Sequence, residues 1–220
     1  MDKIKEMYEE QKPMQVNRFI KRRYVNLARL IPNGSKVLDI GCKDGSFAEY
    51  VDTSCHYFGV DISNTMLEIA SKKGVTVVNA NITKDKMPFE DKSFDVIIMA
   101  EILEHLDSHI TALKEVHRLL KPDGKLIITV PNPEGLKKEL DSVFGIKKRL
   151  KKQVQGEHIC AFGMRELLNL LVLCDFFVLR LEKINPEIGS LGILFPDTWL
   201  FSPFATNILA IAKVKNVSSE

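Results

Sequence analysis

Five short apolar runs recur between residues 36 and 130, and they constrain the fold of this chain more than any other feature. They are Lys36–Ile40, Tyr57–Val60, Val75–Val78, Phe94–Met99 and Lys125–Val130, each rich in β-branched side chains and too short to be a helix. Their apolar residues are continuous rather than alternating, as strands covered on both faces require. Helical patterns lie between them at Phe47–Val51, at Ser63–Ala70 with Ser63 placed to cap, and at Ile110–Leu120, which stops at Lys121-Pro122-Asp123-Gly124. Strands alternating with helices predict an α/β fold with a doubly wound, parallel sheet and helices on both faces.

The C-terminal third breaks the rhythm. Met164–Cys174 reads as a helix, and Phe176–Ile184 and Asn207–Lys215 read as two strands with no helix between them, which predicts an antiparallel pair at one sheet edge, the last strand running against the rest. The expected sheet is therefore seven-stranded and mostly parallel. Residues 1–30 read as helical, with Phe19, Tyr24, Leu27 and Leu30 as an apolar stripe. One domain over residues 1–220 is expected, with residues 35–135 as its core and 136–220 as a C-terminal segment of different character.

Charge excludes some partners. The chain has 31 basic and 29 acidic residues, a net charge of +2, so no whole-molecule field draws it to nucleic acid or an anionic membrane. The cysteines Cys42, Cys55, Cys160 and Cys174 form no C-x-x-C pair and fit neither a zinc ribbon nor a disulfide framework, and a reducing cytoplasmic setting is expected. Met1-Asp2-Lys3-Ile4-Lys5-Glu6 runs into charge without the apolar stretch of a signal peptide or anchor. From Ile188 to Ala212 only Asp197 is charged, but Gly189, Gly192, Pro196 and Pro203 interrupt it and argue against a spanning helix.

The first strand runs into Asp39-Ile40-Gly41-Cys42-Lys43-Asp44-Gly45. A tight turn after a buried strand, where a ligand meets backbone, needs residues without a Cβ, and Gly41 and Gly45 supply them. The second strand ends at Asp61, twenty-two residues after Asp39, where an acid can accept hydrogen bonds from both hydroxyls of a ribose. The turn alone is a weak signal and the acid alone is commonplace; together they point to a nucleoside-containing ligand.

With those residues, Met87-Pro88-Phe89-Glu90-Asp91-Lys92-Ser93-Phe94-Asp95, Glu101-Ile102-Leu103-Glu104-His105-Leu106 and Leu119-Leu120-Lys121-Pro122-Asp123-Gly124-Lys125, the chain resembles the class I S-adenosylmethionine-dependent methyltransferases over roughly residues 35–135. The resemblance implies a Rossmann-like sheet with S-adenosylmethionine as cofactor. A nicotinamide dinucleotide fold is disfavoured, because its G-x-G-x-x-G needs glycine at Lys43 and Ser46. By resemblance, Asp39, Gly41, Cys42 and Gly45 line the methionine and ribose end, Asp61 holds the ribose hydroxyls, and Ile62 lies against adenine. Asn81, Ile82 and Ala100 complete the cofactor site, with the Asn81 carbonyl placed to accept from the adenine amino group. Lys43 stands where the family commonly has glycine; its side chain is expected to point outward and leave the backbone contacts intact.

Chemistry is expected after the fourth strand, where Glu101, Glu104 and His105 share one face if this stretch is helical. Glu101 and His105 are the catalytic candidates. The simplest reading of Glu104 and His105 is that they cap and orient the turn. The sharper one is a divalent metal such as magnesium on Glu101, Glu104, His105 and His158, since Glu-x-x-Glu-His resembles the metal motif of small-RNA 2′-O-methyltransferases and the matching stretch of ubiquinone-biosynthesis O-methyltransferases. Such a metal would lower the pKa of the acceptor oxygen. His56, His109 and His117 have no partner pattern and read as surface or packing residues.

Residues 137–152 carry seven basic and two acidic side chains, +5 against +2 for the whole chain, which leaves −3 for the rest. Val143, Phe144, Ile146 and Leu150 interleave this basic run, and Phe195, Trp199, Phe201 and Phe204 follow in the apolar loop 189–204. A solvated helix face and a packed lid or dimer surface are the plain readings. The functional reading is peripheral membrane contact and O-methylation of a small-molecule or lipid-linked acceptor. Nucleic acid is not the expected partner, for the basic run is short and no RNA-binding domain is evident. The alternatives are a metal-dependent RNA 2′-O-methyltransferase and a non-catalytic S-adenosylmethionine-binding module.

Overall fold

In a computed structural model of the chain, the described residues are 8–133, 160–188, 193–194 and 205–215. The five apolar runs form β1 (Lys36–Ile40), β2 (His56–Asp61), β3 (Thr76–Asn79), β4 (Phe94–Ala100) and β5 (Leu120–Pro131), all paired in parallel. β6 (Phe176–Ile188) and β8 (Ala205–Val214) follow, and β8 lies antiparallel between β5 and β6. The order across the sheet is β3-β2-β1-β4-β5-β8-β6-β7, in which β7 is only Ile193–Leu194 paired with Glu187 and Ile188 of β6. Seven full strands with one antiparallel to the rest are as expected; the two-residue β7 adds a short hairpin to the β6 edge.

Burial on both faces explains the unbroken apolar runs. Along β1, Val37 faces one layer with Tyr24, Leu27, Phe47, Ile98 and Leu209. Leu38 and Ile40 face the other, with Phe94, Met99 and the buried sides of two helices. Those helices are α3 (His109–Leu119), which buries Ala112, Leu113, Val116 and Leu119, and α4 (Met164–Leu173), which buries Leu167 and Leu171. The first layer is covered by α1 (Arg18–Ala28), whose start is set by Asn17: its Oδ1 accepts from the Phe19 and Ile20 amides at 3.0 and 3.1 Å. α2 (Asn64–Lys72) packs beside β2 and β3 and buries Met66, Leu67 and Ala70.

Two expectations are corrected. Phe47–Val51 makes only a single 3₁₀ turn, Ala48–Tyr50, closed by i−3 bonds such as Tyr50 N to Phe47 O. Phe47 and Val51 are both drawn into the first layer, and Asp52 turns the chain by accepting from the Ser54 amide, so no second helical turn has room to form. The turn at Lys121–Gly124 is absorbed into an extended but irregular start of β5, where the register with β4 shifts between Phe94 and Val96.

Chain direction places the site. From β1 the chain winds outward through β2 and β3, then returns to the other side of β1 as β4 and β5. The switch between β1 and β4 opens a crevice at the carboxyl ends of these strands, where ligands of such sheets bind.

Candidate cofactor and active site

The turn after β1 is held by the strand beside it. Gly41 and Cys42 both donate their amides to the Val60 carbonyl, at 2.8 and 3.1 Å. Gly41 sits at φ +79°, and a Cβ there would come 2.8 Å from Cγ1 of Ile102, so glycine is required twice over. Lys43, at φ +50°, adopts the left-handed backbone that explains why glycine is common here. Its amide donates to Oδ2 of Asp61 at 2.9 Å while the Ser63 amide donates to Oδ1 at 2.9 Å. The acid at the end of β2 is thereby fixed by backbone alone. Burial pushes the Asp61 carboxyl above its usual range, against the pull of those two amides. Asn79 steadies the same strand end, donating its Nδ2 to the Ile62 and Asp61 carbonyls at 2.9 and 3.2 Å.

A cleft open to solvent lies at this crevice. Gly41, Asp61, Ile62, Asn81, Ile82 and His105 all line it, which brings together six of the residues singled out from sequence. Lys43 lines it as well, and the backbone of the turn keeps its contact with Asp61. Asn81 contributes shape more than a free carbonyl, because its Oδ1 already accepts from the amide and hydroxyl of Thr83 at 3.0 and 2.8 Å.

Other expected residues sit behind the wall. Asp39 is buried and accepts a 2.6 Å hydrogen bond from the Tyr57 hydroxyl. Burial pushes its carboxyl up to about 7; the Tyr57 bond opposes this and the Asp61 charge adds to it. Cys42 packs its sulfur where a Cβ on Gly59 would lie 2.6 Å away, and burial drives its thiol pKa upward. Gly45, at φ +69°, has a packing reason for lacking a side chain, since a Cβ would lie 3.0 Å from that of Ala70 on α2. Ala100 packs with the first layer.

Beyond β4 the local structure differs from the helix assumed for Glu101, Glu104 and His105. Glu101 has φ +55°, a strained backbone for a side-chain-bearing residue, and only Leu103–His105 forms a 3₁₀ turn. The i, i+3, i+4 face therefore does not form. Glu101 Oε2 lies 3.5 Å from a guanidinium nitrogen of Arg23 on α1, and Glu104 is buried with Oε1 3.8 Å from His105 Nε2. Burial, reinforced by the Glu101 charge, holds the Glu104 carboxyl well above its usual range. His105 alone of the three reaches the cleft wall. Among the described residues no three His, Cys, Asp or Glu side chains form a metal cage. The divalent metal thus finds no support here, and His158 lies outside the described residues. So do the basic segment 137–152 and the aromatic residues of loop 189–204. His109 and His117 pack edge-on against Phe162 and Phe176, as packing residues should, and His56 is exposed at the start of β2.

Sequence reasoning missed Tyr8, Ala80, Thr83, Ile102, Leu106 and Asp107 on the cleft wall. All but Tyr8 adjoin residues that were identified, so extending each motif by one or two positions would have found them. Tyr8 lies far outside every motif and carries no local signal.

The strand order, the glycine turn and the crevice at the strand switch are those of a Rossmann-like methyltransferase fold. Residues 38–128 match the family described as a methyltransferase domain. In these residues the chain is similar to S-adenosylmethionine-dependent methyltransferases, whose fold it shares. It is 31% identical over 113 residues to a demethylmenaquinone methyltransferase of Staphylococcus epidermidis, covering 48% of this chain and 47% of that protein. It is 34% identical over 103 residues to a tRNA (carboxymethyluridine(34)-5-O)-methyltransferase of Arabidopsis thaliana, covering 46% of this chain and 25% of the relative. The matched region is thus about half the length of the bacterial relative. In fold, a SAM-dependent methyltransferase of Thermotoga maritima superposes with a TM-score of 0.68 at 23% identity over 90% of both chains. One from Archaeoglobus fulgidus gives 0.64 at 20% identity over 88% of this chain and 93% of its own. Among the described residues no helix is long and apolar enough to cross a membrane.

Proposed function

We propose that this protein is a cytoplasmic methyltransferase that binds S-adenosylmethionine in the β1–β4 cleft and methylates an oxygen of a small or lipid-linked acceptor. The observation that carries the reading is the Asp61 carboxylate, pinned by the Lys43 and Ser63 amides on the same cleft wall as His105. The residues fit the cofactor: Gly41 presents only backbone to the cleft, Asp61 keeps lone pairs for ribose hydroxyls, and Ile62 and Ile82 offer apolar walls for a purine. When bound, S-adenosylmethionine supplies an electrophilic methyl group whose transfer is an in-line displacement. The protein's part is to orient, to exclude water and to manage one proton. His105 is the group placed to take it, with Glu104 behind its Nε2 at 3.8 Å. Glu101, salt-bridged to Arg23, shapes the turn that presents His105.

Oxygen as the acceptor atom accords with an imidazole at the cleft and with a relative named for a 5-O transfer. The basic run 137–152 and the aromatic loop favour an anionic or greasy acceptor. Incubation with methyl-labelled cofactor and fractionated cell extract tests the reading. Label in an extractable small molecule or lipid, alkali-stable as an ether, is the expected result. Label in RNA would replace the acceptor class, and tight cofactor binding with no transfer to any fraction would indicate a non-catalytic module.

A further inference from the structure

The segment ahead of α1 is fastened at both ends to elements that adjoin the cleft. Glu9, at the end of a helical turn, places its carboxylate on the N-terminus of α2: Oε1 accepts from the Asn64 amide at 2.8 Å, and Oε2 from the Thr65 amide at 3.0 Å and the Ser63 hydroxyl at 3.1 Å. Five residues later the Met14 amide donates to Oδ2 of Asp44, in the glycine turn, at 2.9 Å. The anchor points adjoin the two residues that hold Asp61, Ser63 being itself a partner of Glu9 and Lys43 preceding Asp44, and Tyr8, next to Glu9, lines the cleft.

The bonding of α2 shows what Glu9 adds. The first free amides of a helix need partners from outside it. Ser63 Oγ accepts from Met66 N at 3.3 Å, its carbonyl accepts from Leu67 N, and Glu9 takes the remaining pair, Asn64 and Thr65. An anionic cap at this end is favoured by the helix dipole. This cap comes from more than fifty residues away in sequence, so the same bonds that complete α2 also tie down the chain beside Tyr8.

We propose that Glu9 is a positioning residue that latches the strap Tyr8–Met14 over the cofactor cleft, seating Tyr8 against bound nucleoside and slowing its release. The inference rests on the cofactor reading above and assigns that site a residue outside the methyltransferase motifs. Opening the strap exposes the cleft for exchange; closing it buries the ligand between Tyr8 and the Asp61 wall.

The test uses the full chain and S-adenosylhomocysteine as probe, with affinity from calorimetry, dissociation rate from stopped flow, and amide exchange of residues 8–15 with and without probe. The wild type should bind, with exchange in residues 8–15 slowed by the probe. Glu9→Gln should weaken affinity about five- to tenfold, the worth of a lost helix cap, through faster dissociation, and should abolish that slowing. Tyr8→Ala should speed dissociation while leaving the latch bonds in place, and Glu10→Gln, at the exposed neighbouring position, should change neither. Wild-type affinity, dissociation and exchange in Glu9→Gln would overturn the latch and leave the cofactor reading standing. No binding by the wild type would overturn both.

Discussion

Two regions on the carboxyl side of the sheet solve the problem of presenting a charged group in different ways. At the end of β2, Asp61 is held by amides of Lys43 and Ser63, each from a segment adjoining β1 or β2. Past β4, Glu101 depends on Arg23 from α1, seventy-eight positions away, and Glu104 lies buried behind His105. Backbone partners follow from local geometry and tolerate side-chain drift, whereas remote side-chain partners exist only once the layers have assembled. On the function proposed above, the first region serves the cofactor and the second the acceptor.

The sharpest way to separate the regions is His105→Ala. Turnover should fall by about 10²–10⁴-fold, the usual worth of a positioned acid-base group, while S-adenosylhomocysteine affinity by calorimetry stays within a few-fold. Unchanged turnover would remove chemistry from the second region. Next in size is the pH dependence of Asp39. In the unfolded chain it ionises near 3.8, but folded it keeps its proton to about 7, so the folded state binds the extra proton in that window. Its contribution to stability is complete below pH 3.8 and lost as pH rises through about 7, a decline of up to about 4 kcal/mol. Chemical denaturation from pH 4 to 8 should show the decline in the wild type and a flatter profile in Asp39→Asn.

Gly41→Ala should cost about 2 kcal/mol, combining positive φ with the clash at Ile102. Gly34→Ala, at φ +75° with nothing within 4 Å, isolates the backbone part and should cost about 1 kcal/mol. Equal losses in the two would mean that the Ile102 contact adds nothing. Smallest is Arg23→Ala, which removes a 3.5 Å pair with both side chains one-fifth exposed. It should lower stability by less than about 1 kcal/mol and shift kcat rather than S-adenosylhomocysteine affinity, and the reverse pattern would tie Arg23 to the cofactor region.

What was legible in the sequence follows the same division. The parallel strands could be read because burial on both faces leaves unbroken apolar runs, and Asp61 could be read because it ends such a run, on the strand beside the glycine turn. The shortening of Phe47–Val51 to a single 3₁₀ turn was not legible, since both ends of that stretch are pulled into one layer. Nor was the arrangement of Glu101, Glu104 and His105, because helical spacing assumes a backbone that Glu101 at φ +55° does not adopt. Gly45 was rightly expected to resist a side chain, but the neighbour it makes room for is Ala70 of α2. Tyr8 was hidden, as the Glu9 and Met14 bonds that hold its segment reach residues 30 to 56 positions away.

The central claim is that the Asp61 wall holds the nucleoside of S-adenosylmethionine. Calorimetric titration of wild type and Asp61→Ala with S-adenosylhomocysteine tests it most directly. One site per chain is predicted in the wild type, and loss of the charge-assisted ribose bonds should weaken binding by about 10- to 100-fold in the variant while its far-ultraviolet circular dichroism is retained. A wild type that takes up no ligand, or a folded Asp61→Ala that binds as tightly as wild type, would contradict the account.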